Sequence, residues 1–288
     1  MRVSNWKDYE LIDTSAGERL ERWGKVILIR PDPQVLWDTP KKNPLWEKAD
    51  ARYRRSSTGG GSWQVFHNVP PVWSIRYGQL VFRLKKMGFK HTGIFPEQAV
   101  NWDLVSGLIR KANRPIRVLN LFGYTGAATL ACLRAGAEVC HVDASKGMVS
   151  WAKENAIASG LADRPVRWLV DDCQKFVRRE QRRHNTYDGI IMDPPSYGRG
   201  PGGEVWKLEE QIYHLIGDCV PILSKNPLFF LVNSYTAGLS PAVMEYLLGT
   251  LVARRFGGKL SSGEIGLPVS ESGLVLPCGG TAIWQSES

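Results

Sequence analysis

Four short segments carry side chains that could do chemistry together. The first is Asn120-Leu121-Phe122-Gly123-Tyr124-Thr125-Gly126. Two glycines three residues apart let the backbone turn tightly and come close to a ligand. The second is Asp143-Ala144, about 20 residues beyond that loop, where a carboxylate can accept hydrogen bonds from ribose hydroxyls. The third is Asp171-Asp172, which could reach an adenine amino group or cap a helix. The fourth is Asp193-Pro194-Pro195-Ser196-Tyr197. Its prolines stiffen the backbone, so a fixed carboxylate and carbonyl could orient an exocyclic amine or a ring nitrogen. Tyr197 offers a face on which a base could stack. Each segment also has a plainer reading. Many strand-to-helix turns carry two glycines, and Asp143 could cap a helix starting near Ser145. The first loop is neither a G-x-G-x-x-G fingerprint nor a P-loop, which disfavours a nicotinamide dehydrogenase.

These segments gain meaning from the elements that would hold them. From about residue 101 the pattern alternates helix and strand. Helices are expected at Trp102–Ala112, Ala127–Ala135, Lys146–Ser159, Gln174–His184, Leu208–Leu223 and Pro241–Ala253. Strands are expected at Ile116–Leu121, Glu138–Val142, Val166–Val170, Tyr187–Met192 and Leu228–Asn233, with a terminal hairpin pair at Glu264–Pro268 and Thr281–Gln285. Such alternation implies βαβ units and a mostly parallel sheet covered on both faces. The four segments then follow four successive strands, where ligands of doubly wound sheets bind.

The first ~115 residues read differently. Short β-like runs at Val26–Arg30, Gln34–Trp37, Trp73–Arg76 and Leu80–Leu84 are punctuated by Pro and Gly, and Trp is frequent. Tyr77-Gly78-Gln79 reads as a hairpin turn. Arg52–Ser62, basic and rich in Gly and Ser, reads as a mobile loop able to embrace a phosphate backbone. Residues 1–115 hold 20 Lys/Arg against 11 Asp/Glu, whereas residues 116–288 hold 17 of each. The whole net charge of +9 therefore sits in the first part, which suits an anionic macromolecule such as nucleic acid.

The five cysteines are Cys132, Cys140, Cys173, Cys219 and Cys278, without a C-x-x-C pair. Their odd number and spacing argue against a disulfide framework and a cysteine zinc site, and no metal is expected. No apolar run reaches the ~20 residues that span a bilayer, and the start has no signal-peptide h-region. A cytoplasmic protein without membrane association is the expectation, as a monomer or a homodimer.

The segments VLNLFGYTG, HVDASKGMVSWAKENA, DDCQKFV and MDPPSYGRG resemble the class I methyltransferase domain of bacterial large-subunit ribosomal RNA methyltransferases of the RlmI/RlmK type. KHTGIFPEQAVNW (Lys90–Trp102) resembles that family's K-T-G-F-F-L-D-Q-R region, and the likeness covers about residues 75–285. It implies an α/β Rossmann-like fold with a seven-stranded, mostly parallel sheet. A basic Trp-rich β domain over residues 1–100 would contact RNA, and residues 101–288 would form the methyltransferase domain. It further implies S-adenosylmethionine held by Asn120, Phe122, Tyr124, Thr125, Asp143, Asp172 and Asp193, with Gln98 nearby, and an RNA base as substrate. Gly123, Gly126, Ala144 and Asp171 complete the candidate cofactor set, and Asp193, Pro194 and Tyr197 are the candidate catalytic residues.

Two departures shape the expectation. The family's small RNA-binding PUA domain is not expected in this chain. The region after the fifth strand, Val232-Asn233-Ser234-Tyr235-Thr236, lacks the cysteine that 5-methylcytosine enzymes use, which favours a nitrogen target. Nitrogen methylation needs mainly positioning of donor and acceptor. A protein or small-molecule substrate, or a non-catalytic RNA-binding module on the same fold, are the competing readings.

Overall fold

The structure is a computed structural model and describes residues 3–56, 60–199, 205–236 and 238–287. The chain divides into two compact units. The first comprises Met1–Ala99 and Gly266–Cys278; the second comprises Val100–Ile265 and Gly279–Ser288.

The first unit is built on a five-stranded sheet of β1 (Tyr9–Ser15), β2 (Glu18–Trp23), β3 (Val26–Pro31), β4 (Ala51–Arg55) and β5 (Gly61–Val65), in that spatial order. A separate hairpin pairs β6 (Trp73–Tyr77) with β7 (Leu80–Leu84) around the expected Tyr77-Gly78-Gln79 turn. Three expectations need correction here. Gln34–Trp37 is not a strand. Most of Arg52–Ser62 is not a loop but the β4–β5 hairpin, with residues 57–59 outside the described ones. The reason is packing: Ala51 and Tyr53 are buried, so the run alternates inward and outward like any half-buried strand. Gly61 belongs to that hairpin because a Cβ there would lie 2.2 Å from the Arg54 carbonyl oxygen. Finally, Gly266–Cys278 folds with the first unit although it lies near the other end of the sequence.

The first unit buries charge as well as apolar side chains. Arg30 grips Glu21 with two parallel bonds, Nε to Oε2 at 2.5 Å and Nη2 to Oε1 at 2.7 Å. Tyr9 donates to the same Oε1 at 2.8 Å, and Arg19 lies 3.4 Å from both Glu21 and Asp32. All five residues are buried. Burial alone would raise the Glu21 pKa, but the Arg19 and Arg30 guanidiniums overcome this and pull it down to about 2.

The second unit is the α/β part. In chain order it contains α1 (Ala99–Lys111), β8 (Arg117–Leu121), α2 (Ala127–Arg134), β9 (Glu138–Asp143), α3 (Lys146–Ala158), β10 (Val166–Val170), α4 (Cys173–Arg182) and β11 (Gly189–Met192). A short ribbon of β12 (Tyr197–Arg199) and β13 (Val205–Lys207) follows, then α5 (Leu208–Cys219), β14 (Phe229–Ser234), α6 (Pro241–Leu248), β15 (Lys259–Pro268) and β16 (Val275–Gln285), the last two with residues 266–268 and 275–278 in the first unit. The seven-stranded sheet has the order β10-β9-β8-β11-β14-β16-β15. Its first five strands are parallel, and β16 runs antiparallel to β14. The expected helix Pro241–Ala253 is shorter than read: α6 ends at Leu248, and the backbone widens to π-type bonding over Gly249–Ala253.

Alternating side chains cover the two faces of this sheet. Leu119, Leu121, Val142, Ile190, Met192, Phe230 and Val232 pack with residues of α4, α5 and α6. Asn120 faces the other way and donates to Thr129 of α2 at 2.9 Å. Strand order reverses between β8 and β11, which stay paired to their last residues, so the connections leaving their C-terminal ends turn to opposite faces and leave a crevice beyond the sheet edge.

Candidate active site

The loop after β8 is held in an uncommon backbone shape. Phe122 and Tyr124 have positive φ of 56° and 50°, and Gly126 follows at 87°. Non-glycine residues in this region store strain, which persists only where surroundings enforce it and which clusters at functional sites. The enforcement is visible. The Phe122 N–H donates to the buried Cys173 Sγ at 3.3 Å, and the Tyr124 N–H donates to Asp143 Oδ2 at 2.9 Å. The Gly123 N–H donates to the Val142 carbonyl at 3.0 Å, and Asn155 of α3 donates to the Thr125 carbonyl at 2.9 Å. The N-terminus of α2 begins directly after Gly126, so its free amide ends point back over the loop.

Asp143 ends β9 and supports both sides of the site. Its Oδ1 accepts from Ser145 N at 2.8 Å while Oδ2 accepts from Tyr124 N. Burial raises its pKa, and only these backbone N–H groups oppose that rise. A carboxylate so placed is suited to neutral hydroxyl donors, and ribose hydroxyls have that character. The helix-capping role expected as the plainer reading falls to Ser145, whose hydroxyl accepts from Met148 N. Ala144 sits between the two.

The other candidates fall into separate groups. Asp172 caps α4, accepting from Lys175 N at 2.8 Å, and Asp171 is ion-paired with Arg179. Asn120 is buried with its amide turned toward α2. Asp193 and Pro194 follow β11, and Tyr197 starts β12 half-exposed. Gln98 belongs to the first unit, where it is buried in the turn Pro96–Gln98.

Sequence reading missed three participants. Trp206 of β13 donates to the Pro195 carbonyl at 2.6 Å, and its ring lies 5.6 Å from the Phe122 ring. It therefore ties the β8 loop to the Asp193–Tyr197 turn. Thr236, after β14, donates to the Ser196 hydroxyl. Cys173 supplies the acceptor for Phe122, where only an inert buried thiol was expected. Of these, Cys173 and Thr236 stood in segments the sequence singled out, after Asp171-Asp172 and after the fifth strand, while Trp206 lay outside them. Among the described residues no group of three or more His, Cys, Asp or Glu is placed to hold a metal ion.

Residues 46–221 match the family described as S-adenosylmethionine-dependent methyltransferase. Over its full length the chain superposes on a SAM-dependent methyltransferase from Agrobacterium tumefaciens, with 36% identity, 94% of that chain covered and a TM-score of 0.93. A candidate SAM-dependent methyltransferase from Streptococcus mutans shares the fold, with a TM-score of 0.71 at 20% identity over 98% of this chain and 76% of that one. Half of the chain, 147 residues, is 31% identical to ribosomal RNA large subunit methyltransferase K/L of Shewanella frigidimarina. The chain spans about a fifth of the length of such curated relatives, 20% in each case. The strained loop, the helix N-terminus and the Asp143 carboxylate with its two backbone N–H donors fit the nucleoside of S-adenosylmethionine, which is the cofactor. The chain belongs to the S-adenosylmethionine-dependent methyltransferase family.

Proposed function

We propose that this chain methylates a base of RNA, with ribosomal RNA as the substrate class and a nitrogen atom as the target. The observation that carries the reading is the Asp193–Tyr197 turn, tied through Trp206 to the cofactor loop at the crevice between β8 and β11. The name of the Shewanella relative supports the substrate class. So does the basic first unit, whose buried Arg19 and Arg30 are matched by Glu21 and Asp32 while Arg54, Arg55 and Arg76 stand exposed.

When bound, S-adenosylmethionine supplies a methyl group activated by a sulfonium. Asp143 would accept from the ribose hydroxyls, and Phe122, Gly123, Tyr124, Thr125 and Gly126 would form the backbone cradle. Ala144, Asp171 and Asp172 would complete the set that holds the cofactor, and Asn120 would support the start of α2 through Thr129. Asp193 accepts an N–H of the target amine and points the nitrogen lone pair at the methyl group. The Pro194 carbonyl accepts the second N–H, and Tyr197 stacks on the base. As the nitrogen–methyl bond forms, the methyl–sulfur bond breaks, its electron pair staying on the departing thioether. The nitrogen's surplus proton passes to the Asp193 carboxylate, and catalysis is then chiefly alignment of two reactants.

The test is to incubate the chain with methyl-labelled S-adenosylmethionine and unmodified ribosomal RNA, then to map the labelled nucleoside. Asp193→Ala is expected to abolish transfer while S-adenosylhomocysteine binding remains measurable. Undiminished transfer in that variant removes Asp193 from the role, and RNA left unlabelled by the unaltered chain rejects the substrate class.

A further inference from the structure

His141 lies on β9 two residues before Asp143, so the two side chains leave the strand on the same side. It is fully buried, and no part of the reaction described above uses it. Its ring is held from two directions. Nδ1 is 2.9 Å from the Thr129 hydroxyl, which also receives the Asn120 amide at 2.9 Å. The Trp168 ring packs against it with centroids 4.9 Å apart. Burial drives the His141 pKa down to about 3, so the ring is a neutral, rigid plate.

That plate supports the cofactor loop at its centre. A Cβ built on Gly123 would lie 2.3 Å from His141 Cε1 and 2.5 Å from Nδ1. Gly123 has no left-handed φ, unlike its neighbours Phe122 and Tyr124. Glycine is therefore needed at 123 for space, because the imidazole occupies the room a side chain would take. The ring cannot withdraw without breaking its bond to Thr129 or displacing Trp168. The Gly123 carbonyl in turn accepts from Gly126 N, which carries the support to the start of α2.

We propose that His141 is a positioning residue for the methyl donor: its ring is the seat of Gly123, and ring and glycine together set the loop height and hence the cofactor affinity. This rests on the reading that the Phe122–Gly126 loop holds S-adenosylmethionine. The size relation gives the test. S-adenosylhomocysteine is titrated calorimetrically into the unaltered chain, Gly123→Ala, His141→Asn and the double variant, with thermal unfolding followed in parallel. Asn keeps a polar atom for Thr129 but is smaller than His. Gly123→Ala is expected to weaken binding about tenfold or more, and the double variant to recover most of that loss. Binding by Gly123→Ala equal to that of the unaltered chain overturns the proposal, as does a double variant no better than Gly123→Ala. Should Gly123→Ala fail to fold, Thr129→Val, which frees the ring, is expected to weaken binding several-fold, and unchanged affinity there overturns the proposal. Failure of the underlying reading looks different: the unaltered chain would not bind S-adenosylhomocysteine at all, or would bind it indifferently to Asp143→Asn.

Discussion

Asp143→Asn separates the two tasks of one carboxylate. In the structure its oxygens accept from Tyr124 N and Ser145 N, one each, at 2.9 Å and 2.8 Å. An asparagine has one acceptor oxygen, so one of these N–H groups must face an NH2 group instead. A part-buried donor left without an acceptor costs about 1–3 kcal/mol. When the cofactor binds, the ribose loses a charged acceptor as well, and hydrogen bonds to charged groups contribute about 1.5–3 kcal/mol. The first loss falls on the free protein in part, through a looser loop. The second falls wholly on binding. Together they predict S-adenosylhomocysteine binding at least about tenfold weaker, since the second loss alone is about 1.5 kcal/mol or more and each 1.4 kcal/mol is a factor of ten. Isothermal titration calorimetry of both proteins under identical conditions reads this directly, and thermal unfolding shows whether the loop defect spreads to the fold. Binding within about threefold of the unaltered chain would refute the argument, because that leaves under 1 kcal/mol for both losses.

Two further outcomes follow from buried groups. Cys173→Ala removes the acceptor of the Phe122 N–H and is expected to cost about 1–3 kcal/mol, with weaker S-adenosylhomocysteine binding; Cys173→Ser keeps an acceptor and is expected to restore much of both. Equal behaviour of the two variants in urea unfolding and calorimetry argues against a role for the sulfur. In the first unit, the Glu21 pKa is lowered to about 2 from an ordinary 4.5, so the native state favours the carboxylate over its protonated form. Stabilisation from this source is present above pH ~4.5, about 3 kcal/mol at neutral pH, and is lost as pH falls from there toward 2. Glu21→Gln is expected to cost about 3–5 kcal/mol at pH 7, because Arg19 and Arg30 would stay buried without their partner. The variant should also lose the part of the acid sensitivity that comes from this carboxylate, and circular dichroism against pH for the two proteins checks both statements.

The second unit was legible because its central strands are buried on both faces. Runs such as Ile116–Leu121 and Leu228–Asn233 read as strands directly, and the loops after them took their place from the alternation with helices. The first unit was not, because it hides charges where a pattern reader expects apolar side chains. Glu18–Trp23 reads ERLERW, yet Arg19 and Glu21 point inward as partners of Asp32 and Arg30. An ion pair buried across strands erases the alternation that would have marked them. Arg52–Ser62 misled for the opposite reason, since its Gly and Ser content masked a hairpin whose inward residues are Ala51 and Tyr53. At the site, the chemistry-bearing carboxylates were visible as types at strand ends. Trp206, Thr236 and His141 were not, because each acts on a segment distant in sequence, and no spacing rule joins residue 206 to residue 122.

The chain segment Gly266–Cys278 gives the protein a particular life history on the ribosome. Ser270 N and Glu271 N donate to the carbonyls of Leu11 and Ile12, and the Ser270 hydroxyl reaches Glu10 across 260 residues of sequence. At synthesis rates of about 5–20 residues per second, the edge of β1 emerges well before its partner is made. That strand edge must wait, with unsatisfied backbone groups, while the whole α/β unit is synthesised. Closing so long a loop is slow but adds little to the entropic cost beyond that of a medium one. The first unit thus begins to appear before the second and is finished only after most of it, and a fragment ending at residue 100 would be born with an open edge.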